Sequence, residues 1–488
     1  MKKLSCMAVL LLLMQHAAAQ TFQDFLTRVN NAPAAQHEAL IDSLLAAQPV
    51  LPLREDTLAH FLYRGAASRV TVPGDANGWN PDAFPMTRLA ATTLWYHSRA
   101  FEADARLDYK FVLNNSTWIL DPRNPYQVSG GFGPNSELRM PGFVPPPEIQ
   151  YSPTIPHGSL RDTTFFSVNL NNSRVIRVYT PPNYAASSAR YPVVLLHDGL
   201  EYITLAQANN VIDYLIAHNR IVPIIAVFVP PNPGRRADEY AGNLQAQFTT
   251  FIVNEVMPWV DRRYRTRTEA SSRATLGASN GGNIALWLGY KHPEVFGNIA
   301  AHSSNVENNI RTGFESSPRL DLQLYLDMGT YDQSILITRV GNFLPILQAK
   351  GYTYQYLEFH EGHSWGNWRA HLDNALEMFF PGSAVAVQAQ PANQPVGFEL
   401  QQNFPNPFNP VTTISYRLSR PAHVRLEIYN LQGRFVQRLV DSVQAAGGHA
   451  ARWEGIDQNG KPQASGIYLY RVQLNGNTAA TKRMVLIH

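Results

Sequence analysis

The chain has 488 residues, more than one ordinary core accommodates, so two to four domains are expected. A charged fraction of 16% and a formal net charge of +3 argue against a nucleic-acid-binding surface and against disorder. Aromatic residues at 11%, with 34 prolines, suggest β-rich modules and Pro-marked junctions.

The amino terminus, "MKKLSCMAVLLLLMQHAAAQ", has two lysines, an apolar run from Met7 to Met14 and three small residues, Ala17 to Ala19. These are the three parts of a secretory signal peptide, expected over residues 1–19. The run is too short to span a bilayer, so no transmembrane anchor is expected. Cys6, the sole cysteine, precedes the run and would leave with it; a lipoprotein cysteine would follow it instead. The mature chain would then carry no disulfide, thiolate metal site or cysteine nucleophile.

Residues 20–64 show helical spacing of Phe, Leu and Ile interrupted by prolines. From Arg69 the period becomes two: "RVTVPGDANGW", "TTLWYHSRAF" and "LDYKFVLNN" alternate like half-buried strands, predicting a β-sandwich over 65–145. After the Pro-rich connector "MPGFVPPPEIQYSP", residues 155–382 alternate short apolar strands with longer amphipathic segments, the α/β signature. The strands expected there are "VIRVYTP", "YPVVLLHDG", "PIIAVFVP", "RATLGAS", "NIAAHSS", "LQLYLDMGT" and "YTYQYLEF". Residues 383–397 read as a flexible linker, and 398–488 return to short strands that suggest a small β-sandwich. The expected fold class is therefore multidomain: an N-terminal β-sandwich, a central α/β domain and a C-terminal small β-sandwich.

Within "RATLGASNGGNIALWLGYKH", Ser279 stands between Gly277 and Gly281, where a strand pattern passes directly into a helix pattern. A bare G-x-S-x-G arises often by chance, but a strand-to-helix elbow strains the serine backbone and sets its hydroxyl at a helix amino terminus. A hydroxyl nucleophile needs a base, and in this fold the order is serine, acid, histidine, each just after a strand. Asp332 follows "LQLYLDMGTY", whereas Asp327 lies inside that strand and is expected to pair locally. His363 follows "YTYQYLEFHEG", whereas His302, His360 and His371 read as structural. Two backbone donors are needed for a tetrahedral oxyanion. Asn280 N–H supplies one and Leu200 N–H, after "VVLLHDG", the other, with His197 and Asp198 shaping that loop.

Residues 155–382 resemble the esterase D, feruloyl esterase and enterochelin esterase group of α/β-hydrolases through "LLHDG", "RRADEYAGN", "FIVNEVMPWVDRRYR", "GASNGG", "DMGTYD" and "EGHSWGNWR". Carried over position by position, the resemblance implies a triad of Ser279, Asp332 and His363. It departs at Asn280, where relatives more often carry Met or Leu, but only the backbone is needed there. Arg236 and Glu239 match positions near the site mouth of such relatives; a loop salt bridge is the competing reading. Trp365 either walls the acyl pocket or packs under its helix.

The stretch "VTVPGDANGWNP…DYKFVLNNSTWILDPRNP…GGFGPNSELRMP" resembles glycogen-binding-module-like early-set (Ig-like) domains. Where these bind sugar, Trp79, Trp118, Lys110 and Asn135 match the contacting positions, since an aromatic face suits the C–H face of a pyranose. Docking against the enzyme is the other reading. "NFPNPFNP", "VRLEIYNLQG", "ARWEGIDQNGK" and "SGIYLYRV" resemble type A sorting domains of the type IX secretion system, implying that machinery as a partner and export to the outer surface or medium.

The expected activity is a secreted serine carboxylesterase needing no metal or organic cofactor, acting on feruloyl or acetyl esters of plant polysaccharide. A siderophore trilactone, acyl transfer to a sugar, and an inactive carbohydrate-binding protein are the alternatives.

Overall fold

The computed structural model describes residues 21–89, 92–131, 133–382 and most of 398–486. The expected signal peptide and the 383–397 linker lie outside the described residues. The chain divides into two compact units, Met1–Ala384 and Val385–His488.

An eleven-stranded sheet organises the first unit. Six strands run parallel in the order Ile225–Val229, Val193–His197, Arg273–Ala278, Asn298–His302, Gln323–Tyr331 and Thr353–Gly362. These are the apolar runs read from the sequence; four of them are buried at every position, as expected of a sheet covered on both faces, while Thr353–Gly362 is only partly buried. An antiparallel hairpin, Ser159–Ser167 with Asn172–Thr180, extends the sheet beyond Ile225–Val229. Its outer strand, "SLRDTTFFS", was not expected: most of it is exposed, so no apolar alternation announces it.

Beyond Thr353–Gly362 the same sheet continues into the front module, through Arg106–Tyr109, Gly133–Arg139 and Gln127–Gly130. The junction is a parallel pairing of Glu361 with Arg106. The segment "LDYKFVLNN" is therefore not one strand. It breaks at Lys110, whose N–H donates to the Pro73 carbonyl, and Phe111–Leu113 joins a separate three-stranded sheet. A four-stranded antiparallel sheet, containing Leu58–Arg64 and Leu94–Ala100, completes the module.

The helical segment expected over 20–64 ends early. Its helices are Phe22–Asn31 and His37–Ala47, and strands occupy Leu53–Glu55 and Leu58–Arg64. Successive residues of that second strand face opposite sides, as a period of two requires. Phe61 enters the core with Tyr109 and Phe111, while Leu62 packs against Phe22, Phe25 and Val29 of the helices.

The second unit has two antiparallel sheets around one core containing Trp453, Ile414, Val424 and Tyr470. The strand Phe435–Gln444 was not anticipated: its apolar residues do not alternate regularly, and only Val436 among them is buried.

Candidate active site

Ser279 ends the strand Arg273–Ala278 and caps the helix Asn280–Lys291. Its backbone sits at φ 58° and ψ −121°, costly for a residue with a Cβ. Neighbours hold it there. Its N–H donates to the His302 carbonyl at 2.9 Å, and its carbonyl accepts from Asn283 and Asn305 N–H, each at 3.1 Å. Gly277 is required at the crossing, since a Cβ there would lie 2.3 Å from the Gly281 carbonyl oxygen.

Ser279 Oγ is 3.1 Å from His363 Nε2, and His363 Nδ1 is 2.8 Å from Asp332 Oδ1. The Asp332 side chain is fully buried, while that of His363 keeps 20% exposure, so the pair is anchored inside and open at one end. Asp332 Oδ1 also accepts from Gln333 N–H at 2.6 Å. Facing a carboxylate, Nδ1 carries the ring proton and Nε2 is left to accept one from the hydroxyl. Trp368 meets the imidazole edge-on, with ring centroids 5.0 Å apart.

Leu200 belongs to a short helix, Gly199–Thr204, rather than to an open loop. It is the second residue of that helix, and Asn280 is the first of its own, so neither N–H has an intrahelical acceptor. The side chain of Asn280 accepts from Asn305 Nδ2 at 2.8 Å. Asn305 stands just past a parallel strand, a cleft position that no motif in the sequence singles out.

Arg236 makes a forked pair with Asp198 at 2.6 and 2.7 Å and reaches the Ala278 carbonyl at 3.3 Å, keeping 38% of its side chain exposed. It thus stands beside the end of the strand that leads into Ser279. Glu239 does not accompany it. Its carboxylate is buried and accepts from both terminal nitrogens of Arg174, at 3.0 and 2.9 Å, and from Asn232 N–H at 3.0 Å. Substrate contact at Glu239 is therefore replaced by a buried ion pair. Trp365 packs edge-on against Tyr202 and Trp368 in the core.

The remaining candidates behave as local structure. Asp327 pairs with His302 at 2.6 Å, His360 with Asp104 at 2.6 Å, and His371 with Glu361 at 2.9 Å. His197 bonds Thr275 Oγ1 at 2.9 Å, and burial, with Arg236 nearby, pushes its pKa down to about 3. In the front module, Trp79 Nε1 donates to Asp75 and Asn135 Nδ2 to Asp108, at 3.0 and 2.9 Å. These two polar groups are spent inside the module. Lys110 is half-buried, and Trp118 keeps 43% exposure.

Among the described residues, no group of three or more His, Cys, Asp or Glu side chains is placed to hold a metal ion, and no helix is long and apolar enough to cross a membrane.

Residues 167–379 match the family described as "Putative esterase". This segment is an esterase-family domain. Among curated relatives, the uncharacterized protein YjcH of Bacillus subtilis is 26% identical over 235 residues, covering 45% of this chain and 97% of that protein. An endo-1,4-beta-xylanase/feruloyl esterase of Xylanibacter ruminicola is 28% identical over 30% of this chain and 22% of its own length. An iron(III) enterobactin esterase of Escherichia coli O6:H1 is 25% identical over 45% of this chain and 60% of its own. The ferric enterobactin esterase of Salmonella typhimurium shares the fold, with a TM-score of 0.61 and 19% identity over 69% of this chain and 98% of that structure. The chain is accordingly a carboxylic ester hydrolase. Residues 408–478 match the FlgD Ig-like domain.

Proposed function

We propose that the protein is an exported serine carboxylesterase working through an acyl-enzyme on Ser279. The observation that carries this is the continuous chain Ser279 Oγ, His363 Nε2, His363 Nδ1, Asp332 Oδ1, at 3.1 and 2.8 Å. His363 Nε2 takes the Ser279 proton as Oγ adds to the ester carbonyl, and Asp332 stabilises the resulting imidazolium. The N–H groups of Leu200 and Asn280 receive the oxyanion. Collapse expels the alcohol, which takes the proton from His363. Water, deprotonated by the same nitrogen, then adds to the acyl-enzyme and releases the acid and free Ser279.

The substrate class is feruloyl or acetyl esters on plant polysaccharide. Support comes from the relative named as a feruloyl esterase and from the export signals in the sequence: residues 1–19 as signal peptide and 398–488 as a type IX sorting domain. Trp118, with its ring exposed, supports a polysaccharide-facing front module. A siderophore trilactone is the second reading, favoured by the relative named as an enterobactin esterase.

The test is turnover of p-nitrophenyl acetate by the mature protein and its loss in Ser279→Ala. Release of ferulate from arabinoxylan, acetate from acetylxylan and dihydroxybenzoylserine from enterobactin is then compared. No turnover of short acyl esters, methyl ferulate or enterobactin by wild type would sink the reading. Trp118→Ala should weaken pull-down on insoluble polysaccharide; unchanged binding removes the sugar-facing role.

A further inference from the structure

Arg106 belongs to the front module, yet its guanidinium is only 1% exposed and lies against the hydrolase loop that carries His363. Inside its own module it pairs with Asp108 at 2.5 Å and with Glu137. Across the junction it reaches Glu361 at 3.4 Å and donates to Ser364 Oγ at 3.1 Å. Glu361 and Ser364 bracket His363 in the chain. Gly366, in the following turn, has no room for any side chain, because a Cβ there would lie 1.9 Å from an Arg106 nitrogen.

A second contact comes from the same module. The Asp75 carboxyl lies against Gly362, where a Cβ would come within 2.1 Å of Asp75 Cγ. Asp75 is itself fixed by Trp79 Nε1 at 3.0 Å and by Asp108 N–H at 2.8 Å. Residues 361, 362, 364 and 366 are thus all held from outside the esterase segment, and His363 stands in the middle of them.

We propose that Arg106 and Asp75 are positioning residues for catalysis, gripping the residues on both sides of His363 so that Nε2 stays in reach of Ser279. The front module is then a working part of the hydrolase, whatever it does with sugars. The inference rests on the triad assigned above. Its physical basis is that a base displaced by about 1 Å costs on the order of 100-fold in rate even when substrate binding is untouched. Neither residue meets the reacting atoms; both act through the loop.

The test uses the full mature chain with p-nitrophenyl acetate. Arg106→Met and Asp75→Asn should lower kcat by about 10- to 100-fold with KM changed less than about twofold, and Arg106→Lys should restore part of the loss. Tyr109→Phe is the control, because it removes a buried hydrogen bond to Asp121 in the same module without touching the loop. It should keep kcat within about twofold at a temperature where all variants are folded. Hydrogen exchange over 361–368 should quicken in Arg106→Met and not in Tyr109→Phe. Arg106→Met removes the cation shared by three buried carboxylates and is the variant most prone to misfold. If it does, Ser364→Ala, which removes one bond of the grip together with the cap that Ser364 Oγ gives Asn367 N–H, replaces it with a smaller expected loss of kcat. Unchanged kcat in folded Asp75→Asn and Arg106→Met (or Ser364→Ala) overturns the proposal. So does an equal loss in Tyr109→Phe. Should wild type prove inactive on every ester, the esterase reading fails, while the exchange comparison still decides whether the front module holds the loop.

Discussion

His302 and Asp327 make a pair as tight as His363 and Asp332, with Nδ1 to carboxylate 2.6 Å in the first and 2.8 Å in the second. Both pairs come from adjacent strands of one sheet. They differ in where each residue stands relative to the strand end. His302 is the last residue of its strand and lies directly opposite Asp327, which is inside the next. Both are sealed, at 0% and 1% exposure. Asp332 and His363 each stand one residue past the end of theirs, at the carboxyl edge where a parallel sheet opens its crevice. Clearing the sheet by one position gives His363 a face toward Ser279. Remaining within the sheet makes His302 a brace, whose carbonyl holds the Ser279 N–H at 2.9 Å.

That contrast sets out a graded series of tests. Ser279→Ala and His363→Ala should each lower kcat by about 10⁴-fold or more with little change in melting temperature. Asp332→Asn should cost on the order of 10³- to 10⁴-fold in kcat, because the imidazole loses its orienting acceptor. Asp327→Asn should behave oppositely: kcat per folded molecule falls less than about tenfold, while urea unfolding registers a loss of roughly 1–3 kcal/mol from the broken buried pair. Were Asp327→Asn the more damaging to kcat, the assignment of the two pairs would be reversed.

Glu239→Gln probes the position where a buried ion pair stands in place of the expected substrate contact. It should destabilise by about 3–5 kcal/mol by leaving Arg174 buried without its partner, with kcat per folded molecule unchanged. The smallest effect concerns His197, whose folded pKa of about 3 lies below the ordinary histidine value because burial disfavours its charged form. Between about pH 6.5 and 3 the unfolded state binds the extra proton, so this residue makes stability fall as pH falls, by at most about 1.4 kcal/mol per pH unit. Urea midpoints at pH 7 and pH 5 should differ less in His197→Gln than in wild type.

The alignment of Ser279, His363 and Asp332 was legible because its order and its strand-end positions are local properties of the chain. Apolar runs locate the parallel strands, and the polar residues just beyond them are few. Glu239 was misread because its partner, Arg174, lies 65 residues away, beyond any periodicity. The grip on His363 spans 255 residues between Arg106 and Glu361 and was equally hidden. A faint signal existed: Arg106 and Asp108 alternate on one strand and Glu137 lies on its neighbour, placing charges where apolar residues are expected to face inward. The strands Ser159–Ser167 and Phe435–Gln444 escaped for the opposite reason, because exposed strands carry no apolar rhythm.

The continuity of the sheet across Arg106 and Glu361 bears on how this protein can be cut. The family match begins at residue 167 and ends at 379, but the folding unit does not share those borders. A fragment trimmed to the match would lose the hairpin strand Ser159–Ser167 on one side and the front-module strands on the other. It would expose backbone edges at both margins, and such edges invite pairing with other chains. The catalytic segment is recognisable by itself, yet as a physical object it is the middle of a larger sheet.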